Sequence, residues 1–74
     1  MSTETPTAEE IARHYSSALD SVNLINELMA LDARAEDQTA TVARNVKHLE
    51  IMVVKTYWTT EDLAPFNSAI TAGS

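Results

Sequence analysis

An all-α fold is the expectation: an antiparallel helical hairpin followed by a short third helix. Three observations predict it. The chain has one glycine and two prolines in 74 residues, and with Pro6 and Gly73 near the ends only Pro65 interrupts between them. Apolar residues recur at three- and four-residue spacing, the period of a helix. Twice, a threonine stands three residues ahead of an acid at the start of such a run, Thr7 before Glu10 and Thr59 before Asp62, which is the spacing of a capping box.

The first helix is expected over about residues 8–33. "TAEE" at 7–10 starts it, the Thr7 hydroxyl accepting from the Glu10 amide while Glu10 reaches back. Ile11, Tyr15, Ala18, Val22, Ile25 and Met29 follow at alternating four and three residues, the seam of an amphipathic helix. "LDARAEDQTAT" then holds neither Gly nor Pro, so residues 32–38 form a turn or continue one long helix. The gathering of Asp32, Glu36 and Asp37 favours a turn, because acids suit the positive end of a new helix dipole. A second helix over about 38–57 carries Val42, Val46, Leu49, Val53 and Tyr57 as its stripe. "WTTEDL" starts the third, over about 60–71, with Thr59 or Thr60 as cap and Trp58 placed to staple against Leu63. Leu63, Phe66 and Ile70 share its apolar face, and Gly73 is expected to end it. "VVKTYWTTEDLAPF" therefore reads as a corner between helices rather than an aromatic site. Residues 1–6 are expected to be disordered and residues 7–74 to form a single helical domain.

Charge and composition narrow the function. Eleven acids against five bases give a net charge of −6, the wrong sign for phosphate-backbone binding. Six of those acids fall at the three expected helix starts. The chain lacks cysteine, which excludes disulfides and thiolate metal sites. His14 and His48 have no second ligand at metal spacing, and no phosphate loop or nucleophile elbow occurs; no cofactor is expected. No apolar run approaches the roughly 18 residues of a membrane span, and the acidic, polar start is unlike a secretory signal. The expected location is the cytoplasm.

The apolar residues exceed what one hairpin can cover. Leu24, Leu28 and Leu31 add a second flank to helix 1, and Ile51, Val54 and Trp58 add one to helix 2. The third helix can fold back over Ile51, Val54 and Trp58. The three leucines are expected to meet a second subunit, making a homodimeric four-helix bundle; burial inside the chain by a bent helix 1 is the alternative. Asn45, His48 and Met52 fall on one face of helix 2, with Arg44 one turn before His48. They are candidates for a polar contact surface, the plainer alternative being a half-exposed histidine on a helix flank.

Residues 44–70, "RNVKHLEIMVVKTYWTTEDLAPFNSAI", resemble small bacteriophage-encoded proteins through "HLEIM", "YWTTEDLAP" and the closing "AI". The resemblance implies expression in a bacterial cytoplasm during infection and a binding role toward host or phage proteins, and it transfers no functional residue. The expectation is a non-enzymatic protein acting by contact with a protein partner. Two alternatives stay open: a small enzyme or ligand carrier using Tyr15, Asn45 and His48, and an acidic DNA mimic that inhibits a nucleic-acid-binding protein.

Overall fold

The computed structural model describes residues 6–74. The disordered start expected for residues 1–6 lies outside them except at Pro6, which is half-buried. Three α-helices make up the described chain: α1 (Ala8–Met29), α2 (Glu36–Met52) and α3 (Thr60–Gly73). Each packs on the other two, so the hairpin and its third helix close into a triangular bundle around one core.

The cap of α1 is the expected one. Thr7 Oγ1 accepts from the Glu10 amide at 3.1 Å, and Glu10 Oε1 accepts from the Thr7 amide at 2.9 Å. The helix ends at Met29, four residues before the expected boundary, and the stop comes from a side chain rather than a glycine. Arg34 Nη1 donates to the carbonyls of Leu28 and Leu31, both at 3.2 Å, satisfying oxygens that a helix end leaves without partners. The chain therefore turns, as favoured, and α2 begins at Glu36 with Glu36 and Asp37 in its first turn. Ala35 offers no capping oxygen, so only half a box forms: Gln38 Oε1 accepts from the Ala35 amide at 2.8 Å.

The end of α2 also departs from expectation, at Met52 instead of residue 57. The Met52 carbonyl accepts from the Lys55 amide at 3.1 Å and from Trp58 Nε1 at 2.7 Å, which closes the helix and pulls the indole inward. Val53, Val54 and Thr56 are β-branched and poor at extending a helix. At α3 the cap is Thr59: its Oγ1 accepts from the Asp62 amide, and Asp62 Oδ2 accepts from the Thr59 amide, each at 3.1 Å.

The core consists of Ala18, Val22, Ile25 and Leu28 from α1, Val42, Val46, Leu49 and Met52 from α2, Trp58 from the connection, and Phe66 and Ala69 from α3. Trp58 meets Phe66 edge-on at 5.1 Å and Tyr57 at 4.7 Å between ring centroids. Tyr15 lies about equally far from Phe66 and Trp58, at 6.0 and 6.1 Å. Gly73 has a different job from the one expected. It does not take a positive φ; it is the last helical residue, and its missing side chain lets α3 press onto α1 and α2. A Cβ there would lie 2.6 Å from a Val46 methyl, 3.1 Å from Val42 and 3.3 Å from Ile25.

Three expectations about buried surface need correction. Leu28 is in the core of the single chain, because it continues the α2-facing edge of α1 through Ser21 and Ile25. Met52 is also core and leaves the polar contact face. The third helix covers Trp58 but neither Ile51 nor Val54, which stay 59% and 72% exposed. With α2 ending at Met52, only Trp58 swings back under α3.

Candidate functional site

Helix geometry assigns the outer faces. At about 100° per residue, His14, Ser21 and Leu28 form the edge of α1 toward α2, while Ser17 and Leu24 lie one step further round. Leu31 follows in the turn, two residues past the helix, with its amide on the Leu28 carbonyl at 3.2 Å. On α2, Val42 and Val46 face α3, as their approach to Gly73 shows. Asn45 and His48 face α1, as their bonds to Ser21 show, and Arg44 and Ile51 lie one step beyond. Leu24 of α1 and the polar set of α2, separate in the sequence, therefore flank the same seam on the side of the bundle away from α3. Leu28 and Met52 are in its buried floor. Leu24 is half-buried, and Leu31 is 42% exposed. Arg44 is exposed and donates to Thr41 Oγ1 at 3.1 Å.

The seam is bridged by a polar network whose hydrogen positions follow from counting donors. Asn45 Nδ2 donates to the Thr41 carbonyl at 2.8 Å, leaving its Oδ1 toward Ser21 Oγ at 2.8 Å. An amide oxygen only accepts, so the single hydroxyl proton of Ser21 goes to Asn45. His48 Nδ1, also 2.8 Å from Ser21 Oγ, must then be the donor. The proton of that bond is therefore on His48 Nδ1, and Nε2 is directed away from the network. The arrangement runs opposite to a serine nucleophile, whose proton must pass to the imidazole. Ser21 is buried, and no buried side-chain polar atom among the described residues lacks a partner.

Ser21 was not singled out in the sequence, although one signal marks it: a serine between Ala18 and Ile25 interrupts an otherwise apolar edge. Arg34 and Gln38 carry the turn and have no recognisable motif. The second histidine is paired too, since His14 Nδ1 hydrogen-bonds the Tyr57 hydroxyl with the two rings stacked at 20°. Burial pushes the Tyr57 phenol above its ordinary range, and the Glu10 carboxylate adds to the effect. Glu10 itself is held below the usual carboxylate range, chiefly by the hydrogen bond from the Thr7 amide. The ligand-carrier alternative needs Tyr15, Asn45 and His48 in one place; Asn45 and His48 meet at Ser21, while Tyr15 packs on Phe66 and Trp58.

Two grooves open at the end of the bundle where α1 and α3 begin. One, of about 370 Å³, is lined by Pro6, Glu10, His14, Tyr57 and the Val54–Thr56 connection. The other, of about 310 Å³, is lined by Ala8, Ile11, Ala12, Tyr15, Trp58 and Asp62. Among the described residues, no group of three or more His, Cys, Asp or Glu side chains is placed to hold a metal, and no helix is long and apolar enough to cross a membrane. Comparison of the chain with models of protein families, with curated proteins and with solved structures found no match.

Proposed function

We propose that the protein is a non-enzymatic interaction protein that self-associates through the α1–α2 face turned away from α3 and acts by binding a protein partner. The observation that carries the reading is the composition of that face. Leu24, Leu31 and Ile51 keep apolar surface in water beside a polar network that is already satisfied. The bonds among Ser21, Asn45 and His48 survive when another chain covers them, and the outward His48 Nε2 and the Arg44 guanidinium are the polar groups that would need partners across the interface. A two-fold interface uses the same patch from both copies, which places six such side chains in contact. Leu24 is half-buried already and Leu31 and Ile51 are 42% and 59% exposed, so each has about half of the roughly 1.5–3 kcal/mol of full burial left to gain. The six supply part, and the side chains around them the rest, of what a micromolar dimer needs, about −8 kcal/mol net after the cost of association.

The proton count at Ser21 supports a binding rather than a catalytic role. The acids support DNA mimicry poorly, since Glu10 and Asp62 use a carboxylate oxygen to cap their own helices. The resemblance of residues 44–70 to phage-encoded proteins suggests the setting, a bacterial cytoplasm during infection.

Light scattering tests the reading. Wild type is expected at twice the 8.1 kDa chain mass at about 100 µM, well above a micromolar Kd. Leu31→Glu and Ile51→Glu are expected to be folded monomers. Leu28→Glu, the obvious choice from sequence, would place a charge in the core and unfold the chain instead. A wild-type monomer at that concentration would overturn the proposal.

A further inference from the structure

We infer that the 310 Å³ groove between the first turns of α1 and α3 receives a lysine side chain of a partner protein. The inference rests on the reading that the protein works by binding proteins, but it uses a surface apart from the α1–α2 seam. The groove's volume, at the lower end of the roughly 300–1,000 Å³ typical of ligand pockets, leaves room for one long side chain with water beside it. Ala8 and Ala12 reach into the groove with a methyl group each, leaving a trough along α1 beside Ile11. Tyr15 and Trp58 supply aromatic walls, and Tyr15 is 36% exposed.

Charge selects the occupant. Asp62 is the one acid among the lining residues, and no base lines the groove. Glu9 and Glu61 stand in the first turns of the two helices that form it. A wholly apolar guest would cover the Asp62 carboxylate without giving it a partner, which is costly, and an acidic guest would be repelled. A lysine resolves both problems, since its hydrocarbon stem lies along apolar surface while the ammonium stays at the polar rim. Asp62 Oδ2 already accepts from the Thr59 amide, so one oxygen remains. That favours a point-like ammonium over the two-pronged guanidinium of arginine.

Trp58 is the only tryptophan in the chain and reports on the groove directly. The probes are the blocked tripeptide acetyl-Ala-Lys-Ala-amide and its norleucine counterpart, which has the stem without the charge. The lysine peptide is expected to shift Trp58 emission saturably, with the norleucine peptide at least tenfold weaker. Asp62→Asn keeps an oxygen for the Thr59 amide and removes the charge; it is expected to weaken the lysine peptide about tenfold. Ala12→Leu fills the trough from an exposed helical position and is expected to abolish the response, with far-UV circular dichroism confirming that both variants are folded. No saturable change up to about 10 mM, where even the weakest specific sites register, would overturn the inference. So would an equal response to both peptides, or an Asp62→Asn protein that binds like wild type. Light scattering on the same samples reads self-association separately, so failure of one reading leaves the other distinguishable.

Discussion

Replacing Trp58 by phenylalanine keeps an aromatic ring in the core and removes one hydrogen bond and part of the ring volume. The indole is 8% exposed and donates to the Met52 carbonyl at 2.7 Å, so the bond it loses is a buried one. That carbonyl keeps the Lys55 amide as a partner; the loss is therefore a net hydrogen bond, about 0.5–1.5 kcal/mol, rather than a stranded oxygen. The smaller ring adds about 1 kcal/mol of unfilled space against Phe66 and Tyr57. Trp58→Phe is thus expected to cost about 2 kcal/mol and Trp58→Ala about 3–5 kcal/mol. A chain of this length has roughly 4–11 kcal/mol of stability in all, so the alanine variant approaches unfolding. Urea denaturation followed by far-UV circular dichroism measures both, since the variants lack the fluorophore, and protein concentration must be matched because the proposed self-association would contribute. With a slope near 1 kcal/mol/M for a small domain, the phenylalanine midpoint is expected to fall by about 2 M. A Trp58→Phe midpoint within about 0.5 M of wild type would refute the assignment of the indole as the closure of α2.

Gly73→Ala is expected to destabilise by about 1–3 kcal/mol, the usual cost of forcing an atom into a filled core, because its Cβ would collide with Val46. A helix-stabilising effect in the same urea assay would contradict the close approach of α3. Two groups set opposite pH limits. Glu10 is lowered on folding, so its contribution is present above the ordinary value of 4.5 and is lost as pH falls through its folded value. Tyr57 is raised, so its contribution is present below 10.0 and is lost as pH rises through its folded value. Glu10→Gln should flatten the acid limb of a stability–pH curve and Tyr57→Phe the alkaline limb; an unchanged limb in either variant would count against the corresponding contact.

The legible parts of this fold were those written in local code. Both capping boxes, the periodic stripes of α1 and α2, and the corner at Trp58 follow from residues within one or two helical turns of each other. The helix ends were less legible, because Arg34 and the Trp58 indole reach back across the turn to carbonyls of the preceding helix. No Gly or Pro marks such a stop. The position of Gly73 is legible but its role is not, since that depends on Val42, Val46 and Ile25 in other helices. In the sequence the seam is two separate residue sets, because only the antiparallel pairing of α1 with α2 brings Leu24 to the same side as Arg44 and His48. Ser21, which joins them, is one small polar residue on an apolar edge.

The most direct test of the α1–α2 face as the place of self-association is an isotope-filtered nuclear Overhauser experiment on a mixture of labelled and unlabelled protein. Cross-chain contacts among the methyl groups of Leu24, Leu31 and Ile51, together with the ring of His48, are the predicted result. Cross-chain contacts confined to α3, or none at a concentration where the mass is that of one chain, would contradict it.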